Sequence, residues 1–158
     1  MKVGLILIFH NNEDTINKQF FNSIFELSKQ IHLSLINNGS TDNTLQKLRD
    51  IEQMYSSNLS LIDIKKYKGT TAAIKAGVRY LSKHGEFKYI GFLTIQSISN
   101  MKHVSKIIQL IKTRYDLIVM YNAKVAATKP FERKLFKNTF SMHDFSTYFK
   151  SYFDVTGV

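Results

Sequence analysis

A short apolar run that halts at a polar turn and resumes as a helix is the stretch that most limits what this chain can fold into. Residues 32–45 read HLSLINNGSTDNTL. Leu33, Leu35 and Ile36 form a strand-like run, which Asn37, Asn38 and Gly39 interrupt. Ser40, Thr41 and Asp42 then supply oxygens of the kind that accept the first free N–H groups of a helix. Gly39 suits the reversal, because a residue without Cβ tolerates positive φ. Strand, turn and helix together make half of a βαβ unit, and open α/β sheets bind ligands beyond the carboxyl ends of their strands. The turn therefore marks a candidate site.

The same alternation recurs along the chain. Residues 2–9 (KVGLILIF) are almost continuously apolar, as a central parallel strand covered on both faces requires. From Thr15 the period becomes helical, with Ile16, Phe20, Ile24 and Leu27 on one face and Asp14 or Thr15 as the cap. Leu45, Leu48, Ile51 and Tyr55 mark a second helix, and residues 59–64 (LSLIDI) a third strand near the sheet edge. Gly69, Ala72, Ala73, Ala76 and Gly77 line a third helix with small side chains, a device for bringing it close to the sheet. Residues 87–94 (FKYIGFLT) give a fourth strand. Ser99 or Asn100 then caps a helix carrying Val104, Ile107, Ile108 and Ile111, and residues 116–121 (DLIVMY) give a fifth strand. The remainder holds Pro130 and an aromatic, basic run from Phe131 to Phe153 that predicts one or two helices packing back on the sheet. The expected fold is α/β, a doubly wound, mostly parallel sheet with helices on both faces and right-handed crossovers. Residues 1–158 make a single domain, with 1–121 as the α/β core and 122–158 as a helical tail.

At the turn, NNGSTDNT resembles the DDGSTDNT of family-2 glycosyltransferases of the GT-A, Rossmann-like fold. In that family the aspartate pair closes the second strand and contacts the nucleotide of a sugar donor. The opening HNNEDTI is similar to the family's YNNEDTI, with His10 in place of the aromatic residue. KGTTAAIKAG is similar to KGxxAAxxAG, whose basic residue at the position of Lys75 would face diphosphate in polyprenyl-phosphate sugar transferases. DLIVMY matches the family's DIVIGSRF in kind, and FDVTGV its DxxSGF segment. The resemblance covers about residues 2–121 closely and the tail weakly. It implies a nucleotide-binding set of Phe9, His10, Asn11, Asn37, Asn38, Gly39, Ser40, Lys68, Gly69, Lys75, Thr94 and Gln96.

Two acidic motifs of the family are neutral here. Asn37 and Asn38 stand for the aspartate pair, and Thr94 and Gln96 stand where the family's Asp-x-Asp holds a cation. Mg2+ and Mn2+ favour charged oxygen ligands, so no metal site is expected at these positions. The twelve carboxylates leave few candidates for a base that takes the acceptor's proton. Asp42 reads as a helix cap, Glu13 and Asp14 as favourable charges at a helix start, and Asp63 as a strand-edge charge placed where it could also reach the ligand crevice. Asp144 and Asp154 are the candidates that remain. His32, His84, His103 and His143 lack the paired spacing of a zinc site.

The functional expectation is a domain that binds a nucleotide-sugar, a UDP-sugar foremost, for transfer to a glycan or polyprenyl phosphate without metal or with impaired catalysis. A non-catalytic pseudoenzyme acting as partner of an active transferase is the alternative. A basic module for polyanions or membrane surfaces comes third. It rests on 22 Lys and Arg against 12 Asp and Glu, a net +10. Nucleic acid ranks last among partners, because the aromatic residues suit a core. The first residues, MKVGLILIF, are too short an apolar run for a signal peptide, and no run approaches the length of a membrane span. A cytoplasmic location, with a peripheral place on the inner membrane face, is the expectation. With no cysteine, disulfides and thiolate metal sites are excluded.

Overall fold

The computed structural model describes residues 2–25, 30–55, 57–95, 101–128 and 138–151. Five strands, β1 (Val3–Phe9), β2 (Ile31–Asn38), β3 (Leu59–Ile64), β4 (Tyr89–Thr94) and β5 (Thr139–Ser141), form one sheet in the order β3-β2-β1-β4-β5. Every pairing among them is parallel. Six helices accompany them: α1 (Lys18–Phe25), α2 (Thr44–Met54), α3 (Thr70–His84), α4 (Met101–Thr113), α5 (Tyr115–Thr128) and α6 (Met142–Tyr148). This is the doubly wound α/β architecture, with β1 at the centre and the chain winding outward on both sides.

Strand alternation sorts the core into two layers. Leu5, Leu7, Phe9, Leu33, Leu35 and Leu93 join one cluster with residues of α1, α2, α4 and α5. Ile6, Ile8, Ile36 and Ile90 face the other way, onto Ala73, Ile74 and Leu81 of α3. The small side chains of α3 do what their pattern predicts: a Cβ on Gly77 would lie 2.8 Å from Ile6 Cδ1 and 2.9 Å from Ile36 Cδ1.

The fifth strand is not where the sequence pattern puts it. Residues 116–121 lie inside α5, and the strand beside β4 is the three-residue Thr139–Ser141, registered against Ile90–Phe92. A run of six apolar residues does not by itself separate strand from helix. Burial does: Leu117, Ile118 and Tyr121, three and four residues apart, are buried while Val119 and Met120 between them are 41% and 58% exposed. The division drawn at residue 121 therefore falls within α5. The tail supplies a strand as well as a helix, and Phe140, Phe145 and Phe149 pack around Tyr121.

Two helix starts also differ from expectation. Asn17, rather than Asp14 or Thr15, caps α1, its Oδ1 accepting from Phe20 N at 2.8 Å. Helix α2 begins at Thr44, beyond Ser40 and Thr41, and its first N–H is accepted by Asp42 Oδ1 at 2.9 Å. Leu27, the Ser99 or Asn100 cap, Pro130 and the basic aromatic run 131–137 lie outside the described residues. No described helix is long and apolar enough to cross a membrane.

Candidate functional site

The carboxyl ends of β1, β2, β3 and β4 meet along one edge because their registers coincide there. Ile8 of β1 is paired with Ile36 of β2 on one side and with Thr94 of β4 on the other. Phe9 is paired with Asn37, which is paired in turn with Asp63 of β3. The chain changes its direction of winding between β1 and β4, which is where a doubly wound sheet opens a crevice.

At the β2 end the turn is built as its sequence requires. Gly39 has φ +65, and a Cβ there would lie 2.1 Å from the backbone nitrogen of Tyr67. Gly39 N donates to Ile64 O at 2.8 Å, tying the turn to the end of β3. Asn37 and Asn38 are both buried, and both use their amides as donors. Asn37 Nδ2 donates to Asp63 Oδ1 at 2.9 Å, while its Oδ1 accepts from Ser40 N at 3.3 Å. Asn38 Nδ2 donates to the carbonyl of Gly69 at 3.2 Å, anchoring the start of α3. Asn38 Oδ1 is buried and accepts no hydrogen bond from the described residues. An aspartate at either position would supply no such donor.

Asp63 is the carboxylate this arrangement retains. Its Oδ2 pairs with Lys65 Nζ. Desolvation pushes the Asp63 carboxyl up, but hydrogen bonds from Lys65 and Asn37 and the charges of Lys65 and Arg49 outweigh it, leaving its pKa below the ordinary range. On the neighbouring side, His10 Nδ1 lies 2.8 Å from Asn38 O, so this nitrogen carries the proton and donates. The His10 ring meets the exposed Tyr67 ring at 4.5 Å.

The β1–α1 and β2–α2 loops are sewn together by reciprocal bonds. Asn11 N donates to Ser40 Oγ at 3.0 Å, and Thr41 N to Asn11 Oδ1 at 2.8 Å. Asn12 N donates to Thr44 Oγ1 at 2.8 Å, and Asn43 N to Glu13 Oε2 at 3.0 Å. Asp42 Oδ2 accepts from Glu13 N, and Lys47 Nζ reaches Glu13 O. Desolvation raises the Asp42 carboxyl, yet its bonds from Thr44 and the Glu13 backbone hold it below the usual range. The polar residues of NNED and STDNT thus spend their groups largely on one another.

Beyond β4 and β5 lies a hollow of about 200 Å3 lined by Phe92, Leu93, Thr94, Ser141 and His143. Ser141 caps α6 by accepting from Asp144 N at 3.2 Å, which sets His143 and Asp144 in its first turn. Their side chains approach to 3.4 Å. Burial lowers the pKa of nearby His103, and the charges of His143 and Lys106 add to the effect.

The model of the family described as glycosyl transferase family 2 matches residues 5–157. The chain belongs to this family. No curated protein matches it. Among solved structures, this family-2 chain is similar to the mannosyltransferase PcManGT from Pyrobaculum calidifontis in complex with GDP-Man and Mn2+, at 15% identity and TM-score 0.49, covering 72% of this chain and 33% of that one. It is also similar to S. aureus TarS 1-349 in complex with UDP-GlcNAc, at 18% identity and TM-score 0.47, covering 68% and 31%. The family-2 chain thus spans about a third of the length of these structures.

Several residues of the nucleotide set come together at the edge of the family-2 sheet: His10, Asn11, Asn37, Asn38, Gly39, Ser40 and Gly69 are linked by the bonds above. Phe9 is different. Its side chain is fully buried with Leu5 and Leu7, since strand alternation turns it into the core, and it presents no surface to the crevice. Lys68 is exposed just before α3. Lys75 lies about one and a half turns down that helix, opposite the stripe of Ala73, Gly77 and Leu81 that meets the sheet. Thr94 ends β4 two strands from Ile36, whereas Gln96 and Asp154 lie outside the described residues.

Among the described residues the donors do not fit Mg2+ or Mn2+. Asn37 and Asn38 are neutral and donate their amide hydrogens to Asp63 and Gly69 O, Thr94 offers a neutral hydroxyl, and no group of three or more acidic or histidine side chains among the described residues could hold a metal ion. Asp63 was read as a strand-end charge within reach of the crevice, while Lys65, Tyr67 and His143 were not singled out by their spacing. The KKYK run directly after a strand was the available signal for Lys65 and Tyr67.

Proposed function

We propose that this family-2 chain is a donor-binding glycosyltransferase domain that takes a nucleotide-sugar without a divalent cation. The observation that carries the reading is the conversion of the aspartate-pair position into two amide donors, Asn37 to Asp63 and Asn38 to Gly69 O, within a turn whose shape is intact. Such a change removes negative charge from the strand end and keeps the turn, while Thr94 and Gln96 leave the cation-holding position without carboxylates. His10 and Tyr67 offer aromatic surface for a base. Lys65, Lys66 and Lys68, all exposed beside the turn, offer positive charge to the donor's diphosphate in place of a metal. The acceptor hydroxyl enters at the hollow by Thr94 and His143, with Asp144, beside His143, taking its proton.

Calorimetry of the chain against UDP, UDP-sugars and GDP-sugars tests this. Binding that is unchanged by Mn2+ and by chelator is the expected result, and binding that appears only with Mn2+ overturns it. The same samples, supplied with lipid extract as acceptor, separate an active transferase from the alternative reading. Nucleotide affinity without turnover of any donor favours the silent partner of another transferase, consistent with the four neutral motif positions.

A further inference from the structure

Helix α5 is apolar on both of its sides. The side it turns inward places Leu117, Ile118 and Tyr121 in the core. The side it turns outward exposes Val119 and Met120, with Ala123 and Ala127 beyond them. Two of its 14 residues are charged, Asp116 and Lys124, and both lie on that outer side. By contrast, α2 exposes Gln46, Arg49 and Asp50, and α4 exposes Lys102, Gln109 and Lys112. A helix that is apolar all round is one that is covered all round.

The two charges indicate what covers it. Asp116 stands four residues before Met120 and Lys124 four after, so each lies about 6 Å from Met120 along the helix axis, in opposite directions. A second α5 laid antiparallel across Met120 brings the Asp116 of each copy level with the Lys124 of the other. Two-fold contacts have this form, because residue i meets j and j meets i. Both charged groups retain capacity for a further bond. Asp116 accepts from Arg114, Nε to Oδ1 at 3.0 Å and Nη2 to Oδ2 at 2.8 Å, and keeps a lone pair on each oxygen. Lys124 Nζ sits 4.3 Å from the centroid of the Tyr148 ring and donates to its hydroxyl at 2.9 Å, which leaves it two N–H groups. Tyr148 is itself exposed and extends the apolar surface onto α6.

We infer that the outer face of α5 is a self-association surface, on which two copies of this chain pair antiparallel through Met120 with Asp116 of each against Lys124 of the other. Val119 and Met120 supply affinity by leaving water. The charges, at the rim, fix direction and register more than strength. A parallel two-fold pairing would set Asp116 against Asp116 and Lys124 against Lys124. An anionic lipid surface would leave Asp116 facing like charge.

Sedimentation velocity of the whole chain over a range of concentrations tests the pairing, and a monomer–dimer equilibrium is the expected result. Met120→Asp, at an exposed position, should leave the melting curve in place and weaken the dimer roughly tenfold or more, since both copies of the residue meet at the axis. Lys124→Glu sets carboxylates face to face and should also weaken it, while Asp116→Lys/Lys124→Glu should recover most of that loss. The chain has no cysteine, so Met120→Cys carries a single thiol. A short bismaleimide should join two chains through it, whereas Met54→Cys, also at an exposed position, should stay monomeric. A chain that is monomeric at every concentration and does not cross-link at residue 120 overturns the inference. So does a dimer untouched by Met120→Asp, or a loss in Lys124→Glu that the charge exchange leaves unrepaired. Monomers that float with phosphatidylglycerol vesicles, and cease to in Met120→Asp, overturn it in favour of a lipid contact.

Discussion

Asn37 and Asp63 face each other across β2 and β3 with an amide-to-carboxylate bond of 2.9 Å, and this single contact sets the electrostatics of the sheet edge. Asn37→Asp would place two carboxylates where one amide and one carboxylate now pair. Like charges at that range raise the pKa of the pair in the folded state above its unfolded value. Stability of the variant should therefore fall as pH rises through the ordinary carboxylate range, with a deficit of about 1–3 kcal/mol at neutral pH that shrinks toward pH 4. Urea denaturation at pH 4.5 and 7.5 measures it. Equal deficits at the two pH values would count against the pairing.

The wild-type chain should show the opposite slope. Asp63 and Asp42 both have folded pKa values below their unfolded ones. Their stabilising contribution is complete above the unfolded carboxylate pKa and is lost as pH falls through the depressed folded values. Melting temperatures recorded from pH 6 down to pH 2.5 should decline over the acid end of that window. In Asp42→Asn/Asp63→Asn the decline should be shallower.

Asn38→Asp exchanges a buried donor for a buried acceptor facing the carbonyl of Gly69. Loss of the bond and burial of an uncompensated charge predict a cost of about 2–4 kcal/mol at neutral pH. Hydrogen exchange should also quicken at the first amides of α3, because the anchor of that helix is gone. A variant as stable as the parent would mean that the carboxylate finds a partner, a cation included, so the melt is repeated with Mn2+.

Gly39→Ala meets two obstacles at once, a φ of +65 and a Cβ 2.1 Å from the Tyr67 nitrogen. The expected cost is about 2–4 kcal/mol from strain and overpacking together. Because the crowded atoms belong to the backbone of residues 66 and 67, nucleotide affinity should drop along with stability. Denaturant titration and calorimetry on the same preparation separate the two effects.

Phe145 tests the role of the aromatic tail. It is fully buried, with ring centroids of Tyr121 at 5.6 Å, Phe140 at 5.6 Å and Phe149 at 5.1 Å. Phe145→Ala should destabilise the fold by about 3–5 kcal/mol. A surface aromatic waiting for a nucleobase would cost far less.

How much of this was readable from the chain depended on whether the signal was local. The turn at Gly39 was legible because its geometry needs one residue type in one place. Strand β1 was legible because an almost continuously apolar run ends at a polar loop, as a covered central strand requires, and β2 because its apolar run stops at Asn37, Asn38 and Gly39. Residues 116–121 misled because apolar content without a period is common to both kinds of element, and the true β5 is only three residues long. Phe9 marks the limit of the pattern, since a continuous apolar run does not reveal that the last side chain of β1 is fully buried with the core.

By itself the sequence determined a parallel α/β sheet with a tight turn at the end of β2 and a helix of small residues packed close above it, because spacing and side-chain size act between near neighbours. Tertiary structure alone decided what the neutral turn does. Asn37 finds its partner 26 residues away and Asn38 finds its own 31 residues away. Only the register of β2 against β3 brings those groups within reach, so the fate of a charge deleted at one strand end is written on the strand beside it.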